Sequence, residues 1–505
     1  MKFPNFYHFF FATLPVLFIF TDNINEIPFL DLFLPLFSSI LIITIFWLIL
    51  ILFLDRKKSA LICSLFIFII ILFAYVRGGL IYHELIELRF LASNLILGPI
   101  FGGLTIALII YILKKEFPLK VHQTFDLMSI VIVAFLFSQI GLFLANDQSF
   151  NESQKLLNVP IFETNQNVHK PNVFLILLDA YSGNILLKED FDYDNSKFLD
   201  QLRERGFFVK DRSFSNYPNT ELSMPSIMNM NYLDFLPELH GEDSNDMRLA
   251  QKLWNENKVM QVFDANGYDI FAFQGRQGSS SEMVTETLCP LPLNYNRELI
   301  GSLSQFYIPI SSIREKINED RHYDTVNCVL DTTKNFQTNK EPFYMHMHVR
   351  LPHQPFVFDA EGNRNYAASE IGQRFDERFK DAYLEQLIFT NSKTLEIIDS
   401  IQLRDPSTVI ILMSDHAGRF GIDWENPSEL DLYRAFNNLF AVSFPGKELS
   451  NTDKFSTVNI FRIFFNTYLD SDYELLDDRY IWYSPAKPFL QTDVTNLIKS
   501  SGIET

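Results

Sequence analysis

Apolar residues are concentrated before residue 146, and polar residues dominate the remainder of the chain. Five apolar stretches in this first part approach the roughly 20 residues that an α-helix needs to cross a bilayer. They cover residues 6–20, 32–54, 60–76, 90–113 and 127–145. The first stretch is the shortest and contains Pro15. The pattern predicts a multi-span α-helical membrane domain with five spans over residues 1–145.

Basic residues mark two of the loops between these stretches. Arg56, Lys57 and Lys58 follow the second stretch, and Lys114 and Lys115 follow the fourth. Positive charge is enriched in cytoplasmic loops, so both loops are predicted to face the cytoplasm. Five spans then give a cytoplasmic N-terminus and place everything after residue 146 on the extracytoplasmic side.

The polar part of the chain changes its pattern at residue 171. Residues 146–170 show no sustained period and are predicted to form a linker with one short helix near residues 153–157. Beyond them, short apolar runs alternate with amphipathic segments, which predicts an α/β domain with a largely parallel central sheet over residues 171–505. Expected strands are 173–178, 269–273, 343–349 and 409–413, with a peripheral strand at 439–444 and helices at 196–205 and 249–266.

Charge and cysteine content narrow the possible partners. The net charge is −19, and residues after 145 hold about 33 basic against 53 acidic side chains. Such an acidic surface argues against nucleic acid as a partner. Of the 3 cysteines, Cys63 lies in an apolar stretch, whereas Cys289 and Cys328 could form a disulfide in an oxidising compartment or remain free.

Hydroxyl residues in the segment 216–233 are the candidate nucleophiles. The loop leads into a helix-compatible pattern that places Thr220 or Ser223 at a helix N-terminus, where free N–H groups favour an anion. A hydroxyl there could attack a phosphate or sulfate ester. The alternative is that Thr220 serves only as a helix N-cap.

Two predicted strands end in residues that can bind a metal. Asp179 follows the first strand, and Asp415-His416 follows the strand at 409–413. Ligands bind beyond the carboxyl ends of strands in open α/β sheets, so these side chains can converge, and with Thr220 they offer three oxygen donors and one imidazole. This set suits one divalent metal, zinc first and manganese or magnesium as alternatives. The alternative for each Asp is a turn residue or cap.

Further candidates lie in two loops and on one strand. His353 follows the strand at 343–349 in a proline-flanked loop and could protonate a leaving oxygen. His346 and His348 alternate with Met on that strand, and His348 is a candidate substrate-binding residue, although a buried polar role is an alternative for both. Arg276 could hold an anionic substrate or be a solvated loop arginine.

These motifs, in this order, resemble the alkaline phosphatase/sulfatase superfamily. The matching segments are Asp179 after a strand, residues 220–226 (TELSMPS), 351–359 (LPHQPFVFD) and 414–418 (SDHAG). The chain is similar to membrane-anchored members such as phosphoethanolamine transferases and lipoteichoic acid synthases. That resemblance implies a sulfatase-like domain, Thr220 as nucleophile, a metal held by Asp179, Thr220, Asp415 and His416, and His353 in contact with substrate.

The resemblance also implies an activity and a location. The expected reaction is transfer of a phospho-headgroup, of phosphoethanolamine or phosphoglycerol type, from a membrane lipid donor to an envelope glycan or lipid acceptor, with the protein in the cell (inner) membrane and its catalytic domain periplasmic. Ile227 stands where formylglycine sulfatases carry Arg, and no His follows His416 where the lipid A-modifying enzymes have one. Hydrolysis of sulfuric or phosphoric esters and a non-catalytic binding role are the alternatives.

Overall fold

The computed structural model describes residues 5–22, 24, 32–82, 94–145, 148–164, 168–273, 281, 283–289, 311–365, 377–449 and 454–500. The chain divides into two compact units. The first unit comprises Met1–Asp147 with Leu291–Ile317, and the second comprises Gln148–Pro290 with Asn318–Thr505.

The first unit contains the helices predicted from the apolar stretches. They are α1 (Tyr7–Asp22), α2 (Phe33–Leu50), α3 (Arg56–Tyr82), α4 (Asn94–Lys114) and α5 (Leu119–Ala145). Helix α1 packs against α2, α3 and α5. The carboxylate of Asp126 on α5 accepts hydrogen bonds from the backbone N–H groups of Phe6 (2.8 Å) and Tyr7 (2.9 Å). Asp126 therefore satisfies N–H groups that would lack partners at the start of α1.

Among the described residues, 4 helices are long and apolar enough to cross a membrane: Phe33–Leu50, Arg56–Val76, Ile96–Lys114 and Leu119–Leu142. They correspond to four of the five predicted spans. The remaining helix, α1, has 16 residues, which at 1.5 Å per residue is shorter than the roughly 30 Å hydrocarbon core.

The second unit is built on a 7-stranded sheet of order β2-β7-β6-β1-β5-β3-β4. Its strands, followed by those of a separate hairpin, are β1 (Val173–Leu178), β2 (Phe208–Val209), β3 (Asp269–Phe273), β4 (Glu286–Leu288), β5 (Phe343–Val349), β6 (Val409–Met413), β7 (Phe440–Ser443), β8 (Ile481–Ser484) and β9 (Lys487–Asp493). Strand β1 runs parallel to both neighbours, β5 and β6, and is buried throughout. Burial on both faces explains its uninterrupted apolar sequence.

The strand predicted as peripheral is instead internal. Strand β7 pairs antiparallel with β6 and also pairs with β2, so it lies inside the sheet. Both ends of the β6–β7 connection are tied together. The backbone N–H of Ser414 donates to the Leu439 carbonyl (2.9 Å), and the Asn438 amide donates to the Ser414 carbonyl (2.6 Å). The connection therefore leaves and rejoins the sheet at one place.

Helices cover the two faces of the sheet. In chain order they are α6 (Gln148–Leu157), α7 (Asn184–Phe191), α8 (Ser196–Glu204), α9 (Thr220–Asn229), α10 (Phe235–His240), α11 (Arg248–Asn255), α12 (Lys258–Ala265), α13 (Ser311–Lys334), α14 (Glu377–Arg404), α15 (Glu429–Phe436), α16 (Ile460–Tyr468) and α17 (Thr495–Ser500). The single helix predicted for 249–266 is wrong, because Asn257 starts a new helix by accepting a hydrogen bond from the Met260 N–H.

Much of the predicted linker is folded onto the second unit. Helix α6 spans Gln148–Leu157, longer than predicted, and Leu157 is fully buried. The Leu157 carbonyl accepts a hydrogen bond from Asn231 (2.7 Å), and the Pro160 carbonyl accepts one from Tyr473 (2.7 Å). The described part of residues 146–170 is thus a packed edge of the domain rather than a free tether.

The cysteines of the second unit are joined. Cys289, just after β4, forms a disulfide with Cys328 on α13. Cys63 in the membrane unit is a buried free thiol.

Candidate active site

Two neighbouring parallel strands deliver acidic side chains to the same edge of the sheet. Strand β1 is followed directly by Asp179, and β6 is followed two residues later by Asp415. Leu177 and Met413 lie opposite each other in the register, so the two strand ends are level. The convergence expected at the carboxyl ends of these strands is therefore present.

Asp179, Asp415 and His416 form one buried cluster. The His416 Nε2 atom lies 3.3 Å from Asp415 Oδ2 and 3.6 Å from Asp179 Oδ1. Asp415 and His416 have no exposed surface, and Asp179 is 4% exposed. Two carboxylates and an imidazole in so small a volume out of water are a costly arrangement unless a cation or protons offset the negative charge.

Helix α9 brings Thr220 to this cluster. The Thr220 hydroxyl donates to Asp415 Oδ2 (2.6 Å) and lies 2.9 Å from His416 Nε2. Asn219 occupies the N-cap position with an extended backbone, and Thr220 is the first residue of the helix. The interpretation of Thr220 as an N-cap is therefore wrong, since its side chain points to the acidic cluster instead of to the helix backbone.

Ser223, the other candidate nucleophile, has a different environment. Its hydroxyl donates to the backbone carbonyl of Asp415 (2.6 Å), and the residue is 1% exposed. Asp415 therefore contacts α9 twice, with its carboxylate on Thr220 and its carbonyl on Ser223. This double contact fixes the start of the helix relative to β6.

Burial sets the protonation of the cluster. It raises the pKa of Asp415 to about 6, although the hydrogen bond from Thr220 acts in the opposite direction. Burial and the neighbouring Asp415 carboxylate raise the pKa of Asp179. Burial, helped by the charge of Arg419, lowers the pKa of His416 to about 3. The imidazole is therefore neutral at neutral pH and able to donate its lone pair to a metal.

The donors fit a divalent cation. One ligand atom from each of Asp179, Asp415 and His416 lies within 4.8 Å of the others. The Asp179 Oδ1 atom is buried with no hydrogen-bond partner among the described residues. Tetrahedral zinc with bonds of about 2.0–2.1 Å separates its donors by about 3.3 Å, close to the separations of His416 Nε2 from the two carboxylates. These residues therefore fit a divalent cation.

The loop after β5 holds His353 close to the cluster. The backbone N–H of His353 donates to the Asp179 backbone carbonyl (3.2 Å), and Arg350 Nε donates to the ring atom His353 Nδ1 (3.1 Å). The Gln354 carbonyl oxygen also lies 2.5 Å from the same Nδ1 atom. The charge of His353 adds a small contribution to the lowered pKa of His416.

One buried side chain organises this loop. Gln386 on α14 donates from Nε2 to the carbonyls of Pro352 (3.1 Å) and His353 (2.9 Å). Its Oε1 accepts from the N–H groups of Val357 (2.8 Å) and Phe358 (3.3 Å). The loop backbone thus receives from a glutamine the hydrogen bonds that a sheet or helix would otherwise supply.

The remaining candidates have mixed outcomes. His348 Nε2 lies 4.0 Å from Asp179 Oδ2, and neither ring nitrogen has a hydrogen-bond partner within the described part of the chain. His346 is buried with its Nδ1 3.0 Å from the Tyr344 hydroxyl, in keeping with a buried polar residue. Arg276 lies outside the described residues.

Sequence reasoning missed two residues beside the nucleophile. Arg419 contacts the Asn219 side chain through Nη1, and its charge acts on both Asp415 and His416. Asn219 directly precedes Thr220 and is 2% exposed. Their positions in the sequence could have indicated them, because Asn219 directly precedes the 220–226 motif and Arg419 directly follows the 414–418 motif.

Comparison with known proteins places this geometry in context. Residues 171–437 match the sulfatase family. Three solved structures resemble the chain. The periplasmic domain of EptC from Escherichia coli with Zn has 12% identity and a TM-score of 0.42, covering 65% of this chain and 94% of that one. The periplasmic domain of phosphoethanolamine transferase EptC from Campylobacter jejuni has 13% identity and a TM-score of 0.34, covering 65% of this chain and 97% of that one.

The third is a 2-O GAG sulfatase with 12% identity and a TM-score of 0.40, covering 61% of this chain and 72% of that one. A search of curated protein sequences gives no match. The family match extends over more than half of the 505 residues and includes Asp179, Thr220, Asp415 and His416. The chain therefore belongs to the sulfatase family, within the alkaline phosphatase superfamily of enzymes.

Proposed function

We propose that this protein transfers a phospho-headgroup, of phosphoethanolamine or phosphoglycerol type, from a membrane lipid to a glycan or lipid of the cell envelope through a covalent Thr220 intermediate. One observation carries the proposal: the Thr220 hydroxyl lies at hydrogen-bond distance from both Asp415 Oδ2 (2.6 Å) and His416 Nε2 (2.9 Å). A hydroxyl held at a helix N-terminus among metal-binding side chains is arranged for attack on an anionic ester.

Each half of the reaction makes and breaks one bond. In the first half, Thr220 Oγ1 passes its proton to Asp415 Oδ2, which accepts its hydrogen bond, and bonds to phosphorus while the bond from phosphorus to the lipid oxygen breaks. In the second half, an acceptor hydroxyl gives its proton to His353 and bonds to phosphorus, while the bond from phosphorus to Thr220 breaks and Thr220 takes its proton back from Asp415. His353 is proposed to protonate the leaving lipid oxygen, because hydrogen bonds at its backbone and ring hold it beside the cluster.

Asp179, Thr220, Asp415 and His416 would hold the divalent metal. When bound, such an ion would stabilise the ionised Thr220 hydroxyl and polarise the ester. Burial of the cluster excludes water, which favours an alcohol acceptor held in place over competing hydrolysis.

The nucleophile assignment rests on the difference between the two hydroxyls. Thr220 is directed at the acidic cluster, whereas the Ser223 hydroxyl is engaged by the Asp415 carbonyl. Ile227, in place of the arginine that accompanies formylglycine formation, further disfavours a formylglycine at Ser223. These features support Thr220 as the residue that forms the ester.

The membrane helices support a lipid donor and an extracytoplasmic site. Lys57 lies in the first turn of α3, next to the loop from α2, and Lys115 lies in the loop between α4 and α5. If both loops are cytoplasmic, α5 exits on the outer side whether or not α1 crosses the membrane. A domain tethered beside the bilayer meets lipid headgroups at high effective concentration. We propose the inner membrane as its location and a periplasmic catalytic domain.

The test is intact mass and metal analysis of the full chain purified from membranes. We expect a bound divalent metal and a phosphorus-containing adduct in the wild type and in Ser223→Ala, with the adduct absent from Thr220→Ala. The added mass identifies the headgroup. An adduct that persists in Thr220→Ala and disappears in Ser223→Ala would reverse the nucleophile assignment.

The same experiment separates transfer from hydrolysis. Metal without adduct, together with turnover of soluble phosphate or sulfate esters in the absence of lipid, would replace the transferase with an ester hydrolase using the same site. Absence of both metal and adduct would refute the proposal. The family assignment and the convergence of Thr220, Asp179, Asp415 and His416 already weigh against a purely binding role.

A further inference from the structure

A guanidinium without an acidic partner lies beside the nucleophile. Arg419 donates through Nη1 to the neutral amide oxygen of Asn219. Across the ranges that the structure describes, Arg419 forms no ion pair, whereas Arg434 and Arg479 are each paired with carboxylates. Asn219 directly precedes Thr220, so this contact places the Arg419 guanidinium beside the nucleophile.

The backbone of Arg419 is held in an unusual conformation. Its φ is 61°, in the left-handed region that residues with a side chain seldom adopt. Its N–H donates to the Arg434 carbonyl (2.9 Å), which helps to hold that conformation. Such conformations persist where the surrounding structure enforces them, and they concentrate at functional sites.

Asn219 adds a second unused donor at the same place. Its amide oxygen is occupied by Arg419, and its buried Nδ2 atom makes no hydrogen bond of normal geometry among the described residues, although the Asn219 side chain also acts on the nearby Tyr483 hydroxyl. The residue is 2% exposed and does not cap the helix with its side chain. The backbone N–H of Thr220, a residue only 6% exposed, likewise finds no acceptor in the described part of the chain. A buried donor with no acceptor is costly, so it indicates a missing ligand atom.

We propose that Arg419 and Asn219 bind the tetrahedral oxyanion of the ester that Thr220 attacks, whether phosphate or sulfate. The inference rests on the proposed function, which it deepens by naming the residues that recognise the anionic group. A guanidinium forks onto two oxygens of such a group, and the asparagine amide supplies a third donor. Both act directly on the substrate.

The experiment measures the affinity of the metal-loaded full chain for inorganic phosphate and, separately, for inorganic sulfate by calorimetry. The variants are Arg419→Gln, Arg419→Lys and Asn219→Asp. The matched control is Arg205→Gln, which removes an arginine paired with Asp399 away from the site. Metal content and melting temperature are measured for each variant.

We expect Arg419→Gln to weaken binding of the tighter anion about 10- to 100-fold, with partial retention in Arg419→Lys and no change in Arg205→Gln. Asn219→Asp introduces a carboxylate that pairs with Arg419, so it should weaken binding comparably. If Arg419→Gln loses its metal or unfolds, Asn219→Asp is the variant that tests the proposal. The anion that binds more tightly to the wild type assigns the ester class.

The proposal is overturned if the wild type binds neither anion, or if folded, metal-loaded Arg419→Gln and Asn219→Asp bind as tightly as the wild type. Its failure is distinguishable from failure of the proposed function. Arg419-dependent anion binding without any Thr220 adduct would keep the binding site and refute the covalent transferase. A Thr220 adduct together with anion binding that is unchanged in Arg419→Gln would keep the covalent transferase and refute the anion-binding role of Arg419.

Discussion

Replacing Gln386 by Leu should both destabilise the domain and impair the reaction. The substitution roughly keeps the volume but removes every hydrogen bond that the side chain makes to the loop of His353. Val357 and Phe358 would lose the acceptor of their N–H groups, and both residues are at most 1% exposed. The carbonyls of Pro352 and His353 would lose a donor.

The magnitude follows from these unsatisfied groups. A buried backbone group left without a partner costs about 1–3 kcal/mol. Since the two N–H groups share one acceptor and the added apolar contacts of Leu offset part of the loss, we expect a net cost of about 3 kcal/mol. That is a large fraction of the roughly 5–15 kcal/mol by which domains are stable. Displacement of the loop should also lower kcat, because His353 is placed by the same bonds.

The assay is thermal unfolding of the full chain in detergent, together with turnover of the identified substrate. We expect the melting temperature of Gln386→Leu to fall by about 5 °C or more. The control is Gln402→Leu on the same helix, where the glutamine makes a single hydrogen bond to the Arg205 carbonyl (2.9 Å). A Gln386→Leu protein that melts and turns over like Gln402→Leu would refute this account of the loop.

Three further outcomes are expected. Replacing Cys289 and Cys328 together by Ser removes a disulfide that links residues 39 positions apart, and it should lower the free energy of unfolding by about 4 kcal/mol by the chain-entropy estimate. Denaturation of the wild type with and without reductant checks this loss, and equal stability of the oxidised and reduced forms would contradict it. Burial lowers the pKa of His346 from 6.5 to about 4. Its neutral form therefore contributes stability that is complete above pH 6.5 and is lost as pH falls towards 4, up to about 3 kcal/mol. In His346→Asn the melting temperature should depend less on pH in this window, and an unchanged slope would argue against this role of His346. Chelation should lower the melting temperature of the wild type, with recovery on adding zinc or manganese, whereas Asp179→Asn should show a smaller response; equal responses would exclude Asp179 as a ligand.

Continuous apolar runs made the central strands predictable. Strand β1 and strand β6 are buried throughout, so their sequences hold no polar residue to obscure the boundary. Asp179 and Asp415 were then placed by the general behaviour of parallel strand ends. Short strands at the sheet edge were not predictable in this way. Strand β2 has 2 residues, too few for a periodic pattern, and its pairing depends on β7 far along the chain.

Side-chain hydrogen bonds to backbone groups, which the apolar pattern does not reveal, explain the remaining differences. The break between α11 and α12 depends on Asn257, whose local hydrogen bonds outweigh the continuing helical period. Similarly, Gln386 lies within the long helix α14, and nothing in its local sequence indicates that it serves the His353 loop. The role of Asn219 as N-cap in place of Thr220 was also hidden, since both residue types suit that position.

The tied ends of the β6–β7 connection have a consequence for engineering and divergence. Because Ser414 and Leu439 are bonded to each other, the middle of this loop can lengthen without moving either strand. Asp423, Glu425 and Asn426 in its turn are exposed, outside the segment that carries Asp415 and His416. Foreign sequence inserted after Asn426, such as an epitope or a fluorescent label, should therefore be displayed on the surface with Asp415 and His416 undisturbed.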